Sequence, residues 1–194
     1  MIKPKHYKNI QGWFNFQDLY SSIVNNLEEG VIVEIGCWLG SSTSYMGELI
    51  KYSKKDIKFY AVDTWEGSPS EEIHSRIISQ HNNDIFTIFK NNMKEAGLED
   101  IVNPIRKSSV EGSKDFSDKS LDFVYIDAGH TYEEVMDDLV HWTPKVKDGG
   151  FIGGHDYYQH SGGDKNMEGV KKAVDKFFLI EGVQIIDNSW LRKI

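Results

Sequence analysis

Residues 31–35 form an almost unbroken β-branched run, interrupted only by Glu34 and bounded by Gly30 and Gly36. A run apolar on both faces is stable only as a strand inside a sheet that helices cover on each side. The rest of the chain supplies those helices in alternation. Phe16, Leu19, Tyr20, Ile23, Val24 and Leu27 recur at helical spacing, with Gly30 expected to stop that helix. A helix is predicted over residues 42–52, a second strand over 59–62, and a helix carrying Phe86, Phe89, Met93 and Ala96 that Gly97 closes. Residues 101–105 read as a third strand and 121–126 as a fourth. Tyr132, Val135, Met136, Leu139 and Val140 mark the next helical stripe, ending near Pro144. A short fifth strand over 151–154 and a helix carrying Val170, Ala173, Val174, Phe177 and Phe178 follow. Residues 183–186 and 190–194 flank the turn Asp187-Asn188-Ser189 and should pair antiparallel. The expectation is an α/β fold: a doubly wound, mostly parallel sheet that finishes in a C-terminal antiparallel hairpin.

Length and charge bound what such a sheet can serve. A chain of 194 residues suits one domain, and no linker or repeat divides it. Residues 1–29 are expected to be an N-terminal segment and helix packed on a single domain spanning 30–194. Thirty acidic residues against 22 basic ones give a net charge of −8, which disfavours broad binding to nucleic-acid phosphates. No apolar run approaches the ~18 residues needed to span a bilayer. Three early lysines, Lys3, Lys5 and Lys8, precede no apolar stretch, so no signal peptide is expected. The single Cys37 forbids an internal disulfide and favours a reducing, cytoplasmic setting. The aromatic Trp13, Phe14 and Phe16 make a homodimer a reasonable expectation.

Ligands of doubly wound sheets bind outside the carboxyl ends of the strands. The first strand runs into Glu34-Ile35-Gly36-Cys37-Trp38-Leu39-Gly40-Ser41-Ser42. Its Gly-x-x-x-Gly spacing is not that of dinucleotide folds, and no Gly-Lys-Ser/Thr follows to grip phosphate. Glu34 just before the loop suits a ligand with an amino group or positive charge. Asp63 ends the second strand, where a carboxylate can accept both hydroxyls of a ribose, and Trp65 can cover an adenine face. Asp127-Ala128-Gly129-His130 follows the fourth strand and His155-Asp156 the fifth. Asp127, His155 and Asp156 together suit a hard or borderline divalent cation. His130 lies three residues beyond Asp127 and is a natural general base near neutral pH. His6, His74, His81, His141 and His160 are read as packed or exposed side chains without a role. Residues 159–165 are polar and double-glycine hinged, a lid or a plain loop.

The motifs Val-Glu-Ile-Gly-x-x-x-Gly-x-Ser from Val33, Val-Asp-x-Trp from Val62, Phe-Val-Tyr-Ile-Asp-Ala-x-His-x-Tyr from Phe123 and Lys-Asp-Gly-Gly-Phe-Ile-x-Gly-His-Asp from Lys147 stand in one order. In that combination the chain resembles class I S-adenosylmethionine-dependent methyltransferases, and within them bacterial small-molecule and sugar O-methyltransferases. The resemblance implies a Rossmann-like, seven-stranded sheet. It implies that Gly36, Trp38 and Gly40 line the methionine part of the cofactor, that Glu34 shapes the loop, and that Ser41 and Ser42 bond its carboxylate. Asp63 would hold the ribose, with Ser108 and Ser109 near the adenine edge. Catechol-type members of the class bind magnesium through an Asp after strand four and a pair after strand five. The matching positions here are Asp127, His155 and Asp156, Asp127 and His155 lying 28 residues apart, with His130 at the position of the base. His155 stands where the family usually carries Asp, and an imidazole tolerates manganese, iron or zinc better than magnesium. The implied reaction is direct methyl transfer to an oxygen of a small-molecule acceptor, a sugar hydroxyl first and a phenolic one second. Two rival readings are a metal-dependent hydrolase built on His130, His155 and Asp156 and a non-catalytic binding module on the same fold. A nicotinamide dehydrogenase ranks behind them because of the glycine spacing.

Overall fold

A computed structural model describes residues 6–67, 72–80, 84–158 and 168–194 of the chain. Seven strands form one sheet: β1 (Glu29–Ile35), β2 (Asp56–Asp63), β3 (Val102–Arg106), β4 (Leu121–Ile126), β5 (Val146–Gly154), β6 (Val183–Ile186) and β7 (Ser189–Lys193). Their order is β3-β2-β1-β4-β5-β7-β6. All neighbours pair parallel except β7, which runs antiparallel to both β5 and β6. The helices are α1 (Gln17–Asn26), α2 (Ser41–Ser53), α3 (Glu72–Gln80), α4 (Ile85–Glu95), α5 (Ser109–Ser113), α6 (Tyr132–Trp142) and α7 (Glu168–Phe178). None of the described helices is long and apolar enough to cross a membrane.

The alternation of side chains along β1 and β4 divides the core. Ile32, Phe59, Phe123 and Tyr125 face one layer, where α1, α2 and α4 contribute Tyr20, Met46 and Phe89. Val33, Ile35, Val124 and Ile126 face the other, where α6 and α7 contribute Leu139, Trp142 and Val174. Because both faces are covered, the central strands are apolar on both, which is why the run at 31–35 has so little alternation.

Local details depart from the sequence reading in three places. Helix α1 ends at Asn26, and Gly30 lies inside β1, where a Cβ would sit 2.6 Å from the carboxylate of Asp122. That carboxylate accepts the Val31 N–H at 2.8 Å, so Gly30 makes room for a side chain that satisfies the strand's own backbone. Strand β5 begins at Val146, well before residue 151, because Gly149 and Gly150 remain tied to the chain end through Gly149 N–H to Ile194 O and Ile194 N–H to Gly150 O. Helix α3, which the apolar pattern did not suggest, sets His74 against Trp38 of the loop after β1.

The order reverses between β1 and β4, so their connections leave on opposite faces and open a crevice at the carboxyl edge. Three backbone bonds carry the parallel ladder one residue past the strands there. Gly36 N–H donates to Val62 O at 3.0 Å, Asp127 N–H to Ile35 O at 2.8 Å and His155 N–H to Ile126 O at 3.1 Å. Gly36 has a φ of +83°, and a Cβ on it would fall 1.9 Å from the carbonyl oxygen of Asp127. Gly36→Ala therefore combines a left-handed backbone with a clash against main chain. It is expected to lower stability by roughly 3 kcal/mol, read as a fall in the denaturant midpoint. A midpoint equal to that of the unaltered chain would show that the β1–β4 junction is not close-packed at this point.

Candidate active site

The loop after β1 is clamped by a carboxylate from β2. Asp63 Oδ2 accepts the N–H groups of Cys37 at 2.7 Å and Trp38 at 2.9 Å, and Oδ1 accepts that of Trp65 at 2.6 Å. Burial raises the Asp63 carboxyl above its ordinary value, and these three backbone donors offset only part of that rise. The clamp holds Trp38 at a φ of +48°. Its indole Nε1 donates to Gln11 Oε1 at 2.7 Å, and its ring stacks on His74 of α3 with centroids 4.2 Å apart. Two cavities open on either side of this loop, one of about 650 Å³ and one of about 350 Å³. Gly36, Trp38, His74, Asp127 and Ala128 border both.

Four titratable side chains meet on the wall of the larger cavity. His130 Nε2 lies 3.1 Å from Asp156 Oδ2, and His155 Nδ1 lies 3.2 Å from Asp156 Oδ1 and 3.9 Å from Asp127 Oδ1. Asn188 Nδ2 also donates to Asp156 Oδ1, at 3.0 Å. Burial alone would raise the Asp156 carboxyl. Hydrogen bonds from His130 and His155 overcome it and hold the group well below the usual carboxylate range. Burial disfavours the charged form of His155, yet the Asp156 bond and the Asp127 charge outweigh this and raise its pKa. One donor atom each from Asp127, His130 and Asp156 lies within 4.8 Å of the other two. Two carboxylates and an imidazole so placed fit a divalent cation of the manganese, iron or zinc type. The expected arrangement, His155 as third ligand and His130 apart as base, is changed in one respect. His130 is itself drawn into the carboxylate group, while His155 also engages Asn15 Oδ1 through Nε2 at 2.8 Å.

Residues 33–157 match a family described as a methyltransferase domain. The chain belongs to that family. Its sheet order and switch-point crevice are those of the class I S-adenosylmethionine-dependent methyltransferase fold. Among solved structures it is similar to the O-methyltransferase NovP, at 19% identity and a TM-score of 0.65, over 92% of this chain and 79% of that one. It is similar to cofactor-bound Rv0187 from MTB, at 13% identity and a TM-score of 0.67, over 97% of this chain and 87% of that one. A TDP-rhamnose 3′-O-methyltransferase of calicheamicin biosynthesis, CalS11, follows at 12% identity and a TM-score of 0.57, over 91% of this chain and 76% of that one. At such identities the likeness is one of fold. The uncharacterized protein y4gI of Sinorhizobium fredii is 24% identical over 161 residues, 80% of this chain. The chain spans only 16% of that relative's length.

Around the two cavities, the residues named from sequence divide by what they touch. Ser41 and Ser42 open the N-terminus of α2 and border the larger cavity, and the Ser41 hydroxyl is committed to Tyr7 O at 3.1 Å. Ser108 and Ser109 border the smaller one together with Asp63. Ser108 Oγ accepts the Glu111 N–H and so caps α5. Gly40 turns away from both cavities: a Cβ there would meet Met93 of α4 at 2.6 Å. Trp65 presents no face to a ligand. It is 1% exposed, packed on Phe86 and Phe89, and its Nε1 donates to Trp38 O at 2.9 Å. The turn at Trp65 (φ +54°) sends the indole into the core beneath the loop. The stretch 159–165, His81 and His160 lie outside the described residues. Sequence reasoning missed Gln11, Asn15, His74 and the buried Asp138 of α6, all of which border a cavity. None belongs to a strand-end motif; each is delivered by a helix or the N-terminal segment.

Glu34 does not face a ligand either. It is 1% exposed on the α1–α2 side of β1, with Oε1 accepting Tyr20 Oη–H at 3.0 Å and Oε2 accepting Thr43 Oγ1–H at 2.5 Å. It therefore ties the loop-bearing strand to two helices. Burial pushes its carboxyl up to about 7 despite those hydroxyl donors. The folded pKa lies above the unfolded one, so this group's stabilising contribution is present at acid pH and is lost as pH rises through about 7. Glu34→Gln, an isostere of the protonated acid, is expected to raise Tm at about pH 8 and to change it little at about pH 5. A difference in Tm that does not grow between those two conditions would show that Glu34 does not titrate there.

Proposed function

We propose that the chain transfers the methyl group of S-adenosylmethionine to a hydroxyl oxygen of a small molecule. The observation that carries this reading is the junction of two cavities at Gly36 and Asp127, with His130 and Asp156 on the wall of the larger one. Bound S-adenosylmethionine supplies a methyl carbon made electrophilic by its sulfonium. The loop of Gly36, Trp38 and Gly40 would shape the methionine site, and Ser42 with the α2 N-terminus would receive its carboxylate. Asp63 retains acceptor capacity for a ribose hydroxyl beyond its three backbone bonds. Ser108 and Ser109 would border the base.

The acceptor belongs in the larger cavity, whose walls include Trp13, Phe14 and Trp38. These side chains exclude water and hold the nucleophile behind the methyl carbon, which turns a bimolecular collision into an oriented one. His130 donates its Nε2–H toward Asp156, so the basic nitrogen of the neutral ring is Nδ1, and that atom takes the acceptor's proton. Asp156, kept ionised by its two histidines, stabilises the imidazolium that results. With His130 kept as the base, Asp127, His155 and Asp156 would hold a divalent cation. Such a cation lowers the pKa of a hydroxyl that it touches. A sugar hydroxyl is the first acceptor to test and a phenolic hydroxyl the second.

Asp127→Asn and His130→Ala are each expected to cut kcat by about 100-fold or more while S-adenosylhomocysteine affinity stays within about threefold. Calorimetry for affinity and a methyl-transfer assay with and without EDTA provide the readouts. Failure of the unaltered chain to bind S-adenosylhomocysteine at millimolar concentration would sink the reading, as would full activity in both variants.

A further inference from the structure

The N-terminal segment reaches the carboxylate group through a side chain that no strand-end motif announced. Asn15 Oδ1 lies 2.8 Å from His155 Nε2, although 140 positions separate the two residues in sequence. The neighbours of Asn15 hold it there. Phe14 and Phe16 meet edge to face with centroids 4.7 Å apart, and Phe14 also packs on Tyr7 and Tyr45. Phe16 is buried, its ring 4.6 Å from that of Tyr125 on β4 and 5.0 Å from the His155 imidazole. Gln17 Nε2 donates to Phe14 O at 3.1 Å and closes the backbone around Asn15. Each nitrogen of the His155 ring therefore faces oxygen. Nε2 faces Asn15, whereas Nδ1 faces Asp156 Oδ1 at 3.2 Å and Asp127 Oδ1 at 3.9 Å. An amide carbonyl only accepts, so Nε2 is the donor in its contact. Asn15, Asp127, His155 and Asp156 all border the larger cavity.

Resting on the divalent cation of the reading above, we infer that Asn15 is a positioning residue for that cation: it accepts the Nε2 hydrogen of His155 and so keeps the ring's lone pair on Nδ1, toward Asp127 and Asp156. A neutral imidazole has one such lone pair, on whichever nitrogen lacks hydrogen. With its hydrogen on Nδ1, the ring would donate to the carboxylates and could not join them in holding a cation. With its hydrogen kept on Nε2, three acceptor atoms face one another, and a cation among them relieves the conflict. Histidines that bind metals generally donate their other ring N–H to a carbonyl or carboxylate, which fixes both the tautomer and the ring's orientation. Here that carbonyl comes from outside the sheet. The cation site is complete only while residues 14–16 are docked against β4 and His155.

The test is calorimetric titration of the full chain with zinc chloride, with S-adenosylhomocysteine titrated into the same preparations and Tm as the check on folding. Asn15→Ala is expected to weaken zinc binding by about 10-fold or more. Asn15→Asp keeps an acceptor for the Nε2 hydrogen and is expected to bind zinc within about threefold of the unaltered chain, or more tightly. S-adenosylhomocysteine affinity is expected to stay within about threefold in both variants. Nitrogen NMR of the zinc-loaded chain is expected to show His155 protonated on Nε2 and ligated through Nδ1, a signature that a merely structural role of Asn15 does not set. Zinc affinity unchanged in Asn15→Ala, or lowered as far in Asn15→Asp as in Asn15→Ala, would overturn the inference. So would His155 protonated on Nδ1 in the zinc-loaded chain. Loss of S-adenosylhomocysteine binding in step with zinc binding would overturn it too, by showing that the whole N-terminal segment had come away. An unaltered chain that binds S-adenosylhomocysteine but no zinc at millimolar concentration would end the inference and leave methyl transfer standing. Binding of neither would end both.

Discussion

The site depends on three main-chain hydrogen bonds at the carboxyl edge of the sheet. By continuing the parallel ladder one step past β1, β4 and β5, they hold Gly36, Asp127 and His155 at neighbouring positions after their strands have ended. A loop residue ordinarily wanders by ångströms; one still bonded in register does not. The side chains at these positions and the next ones inherit that order, which is why Asp127, His155 and Asp156 converge although they are distant in sequence. The close approach of Gly36 to the Asp127 carbonyl is the same constraint seen from the other strand. The two cavities share Gly36 and Asp127 in their linings, so they meet at this close approach.

Carboxylates around this edge have separate tasks set by their surroundings. Asp63 accepts from the backbone of Cys37 and Trp38 in the glycine loop and from that of Trp65 in its own turn. Glu34, two residues before Gly36, is turned to the opposite layer and braces β1 against Tyr20 and Thr43. Asp156 lies between two imidazoles and stays ionised, whereas burial pushes Glu34 and Asp138 toward neutrality. The difference lies in the partner: an imidazole can take a charge opposite to that of the carboxylate and a hydroxyl cannot.

Much of this was legible in the chain. The β-branched run at 31–35, the helical stripes and the terminal turn at Asp187 led to the sheet, its parallel sense and its antiparallel end, because period and length alone separate strands from helices. The strand-end motifs located Gly36, Asp63, Asp127, His130, His155 and Asp156 at one edge. What was misjudged has a common cause. Trp65 looked available to a ligand because it follows Asp63, yet the left-handed turn there sends it inward. Glu34 looked available because it precedes the loop, yet the two-residue period of a strand faces it away. His74 looked like a packed or exposed side chain and Asp138 was passed over, because neither belongs to a strand-end motif.

Sequence by itself therefore determined the architecture and the edge of the sheet that bears chemistry, since both follow from local periodicity and from which residues end a strand. Only the tertiary structure decided which way each side chain at that edge points, which histidine joins the carboxylates, and which distant helices line the two cavities. Those outcomes depend on contacts between residues far apart in the chain, such as Asp156 with His130 and Ser109 with Trp142. Such pairs leave no periodic trace, because their meeting is set by how the layers pack and not by the spacing along any one element.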